Sequence, residues 1–167
     1  MFSVILAVDN KGGIGKNNEL PWYNKEDLRH FKKKTIRQVI IMGRRTWESL
    51  PVRPLPNRVN VVLSTTTKEL DGALVCTSLA NCIRTIEPDH KDKEWFIIGG
   101  GKVLKQVLKM RPIIKNIYLT KVDSDYKCDV QVDLSIIQHR KGVSFPKIDE
   151  KLNQYEPYTW SYREYYF

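Results

Sequence analysis

The chain has 167 residues, 41% apolar and 28% charged, enough for one domain with a real core, and no apolar run approaches the ~20 residues of a membrane span. Twenty-eight basic residues against 19 acidic give a net charge of +9, a field that draws anionic small molecules or nucleic acid without choosing between them. No helix-turn-helix, zinc-finger or RNA-binding-sheet motif accompanies the charge, and Cys76, Cys82 and Cys128 have no metal-ligand spacing and cannot all pair, so the reading is a solvated basic surface in a reducing, cytoplasmic compartment.

Phe2 to Val8 is an apolar, branched run ended by Asp9-Asn10-Lys11-Gly12-Gly13. It predicts a central strand buried on both faces, and lacks the basic flank and length of a signal peptide. The loop Asp9 to Trp22 holds three glycines and ends in Leu20-Pro21-Trp22, a composition suited to close approach to a ligand and to movement. Its Gly15-Lys16 fails the phosphate-loop pattern, because Asn stands at positions 10 and 17. Within Leu20 to Thr35 the spacing predicts a helix with Asn24 as N-cap, on which Asp27, Leu28, Phe31 and Thr35 share an arc of roughly 100°. Asp27 then has two readings. It complements the N-terminal amides of the helix, or it is a carboxylate walled into a cleft, where it binds or moves a proton.

Gln38 to Met42 predicts a second buried strand running into Gly43-Arg44-Arg45-Thr46-Trp47, a strand-to-helix junction whose free amides and arginines suit a phosphate, unless the arginines merely decorate a solvated helix. Pro51 and Pro54 stop that helix, Leu55-Pro56-Asn57-Arg58 turns into a strand at Val59 to Leu63, and Ser64 to Thr67 close it with hydroxyls. Asp71 to Thr77 suggests a short strand, Ser78 to Ile86 a helix and Glu87 to Lys93 a polar loop. Glu94 to Ile98 followed by Gly99-Gly100-Gly101-Lys102-Val103-Leu104 repeats the junction of strand, glycine and helix, and the Gly43 and Gly99 turns are expected on opposite walls of one crevice at the carboxyl ends of a parallel sheet. Leu104 sits at the third glycine position, so the dinucleotide fingerprint is incomplete. Ile113 to Val122 predicts a further strand and Asp123 to Lys127 its polar exit. Asp129 to Lys141 has no clear assignment, and Tyr158 to Phe167 begins with the alternation of a half-buried antiparallel strand.

These residues resemble dihydrofolate reductase. The matches are Ala7-Val8 with Gly13-Ile14-Gly15, Leu20-Pro21-Trp22, Asp27 with Phe31 and Thr35, Ile41-Met42-Gly43-Arg44-Arg45-Thr46-Trp47, Leu55-Pro56-Asn57-Arg58, Leu63-Ser64, Ile98-Gly99-Gly100-Gly101 and Tyr118-Leu119-Thr120. The resemblance implies an α/β fold with a central, mostly parallel twisted sheet, an antiparallel C-terminal edge and about four flanking helices. It implies one domain over 1–167, with residues near 39–92 as an adenosine-binding subdomain. It implies reduction of 7,8-dihydrofolate to tetrahydrofolate with NADPH, serving one-carbon and thymidylate metabolism, with antifolates as further ligands, no metal, no membrane, and a monomer.

By the same resemblance Asp27, Trp22 and Thr120 are the catalytic set, with Asp27 on the pterin edge and Thr120 bonded to it. Ile5, Ala7, Leu20, Leu28, Phe31, Leu50, Leu55 and Ile98 wall the pterin and aminobenzoyl rings, and Arg58 pairs with the glutamate α-carboxylate. Arg44 with Ser64 and Thr65 hold the adenosine 2′-phosphate, and Arg45, Thr46, Gly100, Gly101, Lys102 and Val103 the pyrophosphate. Ala7, Ile14, Gly43, Leu63, Gly99 and Leu104 complete the cofactor set, and a cis peptide joins Gly99 to Gly100. The loop Asp9 to Leu20 is the mobile lid. Three features depart from the family: Leu104 replaces a tyrosine that many members carry, the Phe145-Pro146 pair lies far beyond Asp129 so that the tie between outer loop and lid is open to question, and the net charge is high. Two rivals compete. The pyrimidine reductase of riboflavin synthesis would lack the folate side formed by Trp22, Asp27, Phe31 and Arg58, and a reductase-like module kept for binding, to RNA or as part of an assembly, would work through the basic surface, with a salt-dependent mobility shift the test for RNA.

Overall fold

The computed structural model describes residues 1–135 and the strand Trp160–Tyr166, the latter by its backbone. In chain order the elements are β1 (Phe2–Val8), β2 (Gly13–Gly15), α1 (Lys25–Thr35), β3 (Val39–Gly43), α2 (Arg44–Ser49), β4 (Val59–Leu63), β5 (Leu74–Cys76), α3 (Leu79–Ile86), β6 (Trp95–Gly99), α4 (Gly101–Lys109), β7 (Ile114–Val122), β8 (Val130–Gln131) and β9 (Trp160–Tyr166). Seven strands form one sheet in the order β5-β4-β3-β6-β1-β7-β9. All neighbours are parallel except β9, which runs antiparallel to β7 as the aromatic alternation of the C-terminus predicts. The expected fold is therefore the observed one. The unassigned stretch after Asp129 supplies β8, which pairs antiparallel with β2 in a second, small sheet; the remainder of that stretch, from 136, lies outside the described residues.

Local chemistry explains the helix boundaries. Asn24 caps α1 by accepting the Asp27 N–H at 3.0 Å, and Ser78 caps α3 by accepting the Asn81 N–H at 3.1 Å, each satisfying an amide with no partner inside its helix. The glycine-headed helices α2 and α4 have no side-chain cap, so their first amides remain available. The period-2 alternation of β1 sends Phe2, Val4, Leu6 and Val8 to a core shared with α3 and α4, and Ile5 to a second core shared with α2 and half-buried Phe31 of α1. Helices thus cover both faces of the sheet, as parallel strands buried on both sides require. Strands β1, β3, β4, β6 and β7 all end on one edge, and the register places Ala7 opposite Thr120 and Met42 opposite Gly99. Among the described residues no helix is long and apolar enough to cross a membrane.

Candidate active site

Several of the expected residues stand at or near the carboxyl ends of the parallel strands. Asp27 lies in the first turn of α1, and Thr120, two residues before the end of β7, donates its hydroxyl to Asp27 Oδ1 at 2.5 Å. Burial pushes the Asp27 carboxyl above the usual carboxylate range, against the opposing effect of the Thr120 bond. The Asp27 N–H donates to the Asn24 cap, while its side chain accepts from the Thr120 hydroxyl. Trp22 is buried with its ring 5.2 Å from that of Tyr126, and its Nε1 is a buried donor with no partner among the described residues. Such an atom ordinarily meets a water or ligand oxygen.

Ile5, Phe31, Leu50, Leu55 and Ile98 fall in one apolar cluster, whereas Leu20 (54% exposed) and Leu28 (42% exposed) stand open to solvent. Arg58 is half-buried, its guanidinium 5.6 Å from the Phe31 ring centre and its Nε buried without a partner among the described residues. The turn that presents it is held by Asn60. This side chain accepts the Leu55 N–H at 3.0 Å and donates to the carbonyls of Leu55 at 3.0 Å and Arg58 at 3.1 Å. Asn60 was hidden inside an otherwise apolar strand, and a lone amide at a buried strand position is the signal that finds it.

On the other side of β6 the glycine junctions meet. The Gly99-Gly100 peptide is cis, and a Cβ on Gly100 would lie 2.8 Å from Thr46 Oγ1. A Cβ on Gly43 would lie 3.8 Å from the Gly100 nitrogen, so the uncapped starts of α2 and α4 are adjacent. Two such amide sets in contact form a positive cradle that fits a pyrophosphate. Arg45, Thr46 and Lys102 stand at these helix starts, and Val103 packs beneath them in the core. Arg44 pairs with Glu48 at 2.6 Å, an exposed contact that an incoming phosphate can displace. The Ser64 hydroxyl is engaged locally, accepting the Thr66 and Thr67 N–H groups at 3.3 and 2.9 Å, so it shapes the turn that exposes Thr65. Leu63 is half-buried against the α3–α4 core. Leu104 is 1% exposed and packed in that core, which leaves its side chain no access to the crevice.

The loop from Asp9 to Leu20 is tied to the outer loop. Asp129 Oδ2 accepts the Asn17 N–H at 2.8 Å, the Asp129 N–H donates to Gly15 O at 3.1 Å, and Val132 N–H reaches Gly12 O at 2.9 Å. Among the described residues the tie is made by Asp129 and Val132 and by the pairing of β8 with β2; Phe145-Pro146 lies outside the described residues. A Cβ on Gly101 would lie 3.8 Å from Ile14 Cδ1 and 2.5 Å from Val130 Cγ1, so lid and outer loop both reach the α4 start.

Asp9, read in the sequence only as the end of a strand, anchors the base of the lid. Its carboxylate accepts the N–H groups of Gly13 at 2.7 Å, Lys11 at 2.8 Å and Tyr126 at 3.3 Å. Burial raises the Asp9 carboxyl, but these three amides, with the Cys128 thiol, more than offset it and hold it below the usual carboxylate range. An Asp at a strand end, with Gly-Gly beginning three residues later, is the pattern that announces such a clasp. Asp9→Ala leaves buried amides unpaired, worth about 1–3 kcal/mol, so thermal melting at pH 7 falls by about 3–9 °C. Because the folded-state pKa is depressed, this stabilisation is present above the unfolded value and lost as pH falls through the folded one, and the gap between wild type and variant narrows in acid.

Similarity to known proteins decides the assignment. A family model described as dihydrofolate reductase matches residues 1–164. This chain belongs to the dihydrofolate reductase family. The dihydrofolate reductase of Buchnera aphidicola (subsp. Acyrthosiphon pisum) is 36% identical over 96% of the chain and 95% of the relative. The dihydrofolate reductase type 9 of Escherichia coli is 36% identical over 89% of the chain and 85% of the relative. A bifunctional dihydrofolate reductase-thymidylate synthase of Paramecium tetraurelia is 38% identical over 81% of the chain, which spans 29% of that longer protein. As a member of the dihydrofolate reductase family the chain is an oxidoreductase, and a cofactor of the NADPH type goes with that family.

Proposed function

We propose that the chain reduces 7,8-dihydrofolate to 5,6,7,8-tetrahydrofolate with NADPH, and that Asp27 is the group through which it controls the proton. The supporting observation is the Asp27–Thr120 pair, a titratable carboxylate raised by burial at the carboxyl edge of the sheet, beside an apolar cluster and a glycine cradle. With Oδ1 engaged by Thr120, Asp27 keeps its second oxygen for the pterin ring nitrogen and amino group. The negative charge there favours a proton at N5, delivered through water because a side chain at the far edge of the ring does not reach N5. Trp22 Nε1 provides the matching donor for that water or a pterin oxygen. When bound, NADPH supplies the hydride that reaches pterin C6. The chain contributes placement and dryness: Ile5, Ala7, Leu28, Phe31, Leu50, Leu55 and Ile98 hold the rings, Arg58 holds the tail carboxylate, and the Asp9–Leu20 lid excludes water.

On the cofactor side, the segment near 39–92 serves the adenosine end, with Arg44 and Thr65 on the 2′-phosphate and Ser64 shaping their turn. Arg45, Thr46, Gly100, Gly101 and Lys102 hold the pyrophosphate at the paired helix starts, and Ala7, Ile14, Gly43 and Gly99 line the nicotinamide end. The enzyme works as a monomer in the cytoplasm, where three free thiols, two of them buried, stay reduced. The assay follows loss of the NADPH absorbance with dihydrofolate as substrate; NADPH binding without turnover would overturn the assignment. In the same assay Arg44→Ala raises KM for NADPH about tenfold and leaves KM for NADH within twofold, because the 2′-phosphate is the sole difference between the two cofactors and an exposed arginine contributes less than a buried one.

A further inference from the structure

We propose that Tyr126, on the loop that follows β7, is a positioning residue for the reaction: its ring sets the Trp22 indole so that Nε1–H meets the water or pterin oxygen on the proton path. The inference rests on the dihydrofolate reading above and deepens it.

Trp22 needs a support from outside its own segment. It lies between β2 and α1 on a stretch with neither strand nor helix, which exposes Leu20 and Tyr23, yet the indole itself is buried. No backbone periodicity orients a side chain there, so the contacts that hold the ring come from elsewhere in the chain. The Tyr126 ring is such a contact, with centroids 5.2 Å apart and planes at 54°, a tilted pairing that favours a defined mutual orientation. That orientation matters because Trp22 Nε1 is buried and has no partner among the described residues. A donor already desolvated and already aimed meets a water or an oxygen without reorganising, and an indole free to turn loses part of that advantage.

Tyr126 is fixed through its backbone, independently of its ring. Its N–H donates to Asp9 Oδ2 at 3.3 Å, and its carbonyl accepts Lys16 Nζ at 3.4 Å. The residues before it are held in the same way. Ser124 O accepts the Asn10 N–H at 2.9 Å, and Asp125 Oδ2 accepts Lys11 Nζ at 2.9 Å. A substitution at Tyr126 therefore removes the support of Trp22 and leaves these bonds to the Asp9–Leu20 loop in place. The ring makes the contact with the indole, so an aromatic replacement keeps it and an aliphatic one does not.

The test is a kinetic cycle between the two rings. Tyr126→Leu and Tyr126→Met are each expected to lower kcat with dihydrofolate about fivefold at pH 7, with KM for NADPH within about twofold, and the deficit shrinks toward acid, where solvent supplies the proton. Tyr126→Phe stays within about twofold of the wild type at every pH. In a Trp22→Phe background, which has no Nε1 to orient, Tyr126→Leu changes kcat by less than about 1.5-fold. In 15N-labelled protein saturated with NADP+ and folate, the Trp22 indole N–H resonance, assigned by its loss in Trp22→Phe, is one sharp line in the wild type and in Tyr126→Phe and is broadened or split in Tyr126→Leu. Unchanged kcat in both aliphatic variants, a fivefold loss that persists in Trp22→Phe, or an unaltered resonance in Tyr126→Leu would overturn the role of Tyr126 and leave the reductase reading intact. Absence of turnover by the wild type would overturn the reductase reading, and this inference with it.

Discussion

Asp27→Asn lowers kcat with dihydrofolate about 10²- to 10³-fold at pH 7, and the loss shrinks as pH falls. The amide fills the same space and can still meet the Thr120 hydroxyl, so the site keeps its shape while the charge that favours a proton on the pterin ring disappears. The remaining rate then follows protonation of the ring by solvent and rises toward acid, whereas the wild type keeps its rate through neutral pH. The same variant melts higher than the wild type near pH 7. The folded-state pKa of Asp27 is raised by burial, so the stability of the wild type is fullest below the unfolded carboxyl value and declines as pH rises through the folded one. Removing the buried charge lifts that penalty, and the difference in melting vanishes at low pH. Loss of activity coupled to gain of stability is the signature of a group kept for chemistry. A variant that lost both would place Asp27 in the fold instead.

Arg58→Lys raises KM for dihydrofolate about 10- to 50-fold with kcat within twofold. Burial lowers the Arg58 pKa without removing its charge, its Nε has no partner among the described residues, and Asn60 holds the carbonyl beneath it, so the guanidinium is presented with a defined orientation. A planar fork gives a carboxylate two parallel charge-assisted hydrogen bonds, where an ammonium gives a single point charge on a flexible stem. The contact is remote from C6 and N5 and equally strong in the ground and transition states, so its loss appears in KM. A substrate analogue without the tail carboxylate is expected to distinguish the two proteins by less than twofold. If kcat fell instead, Arg58 would have a part in the chemistry.

Much of this site is legible in the sequence because its carriers are local. The Asn24 cap, the Asp27-to-Phe31 spacing and the glycine junctions at 43 and 99 are each set within a few residues, where helix periodicity and turn chemistry act directly. What is not local is less legible. The Thr120 contact to Asp27 depends on β1 lying between β6 and β7, which periodicity does not state and which entered only through the family resemblance. Asp9 and Asn60 were missed because a polar residue at a loop entrance or inside a strand reads as unremarkable until its buried partners are known. Leu104 shows the converse. Its position in the motif suggests the cofactor wall, yet on α4 it shares the apolar stripe of Val103, Val107 and Leu108 and is buried with them. Arg44, which the sequence offers either to a phosphate or to a solvated helix face, has Glu48 one helical turn away as its partner.

The most direct test of the central claim is to incubate the chain with dihydrofolate and NADPH deuterated at the transferring position of C4, and to examine the product by NMR. One deuterium at C6 of tetrahydrofolate for each NADPH consumed, formed quickly by the wild type and slowly by Asp27→Asn at pH 7, is the predicted result. NADPH consumption without tetrahydrofolate, or equal rates for the two proteins at pH 7, would contradict it.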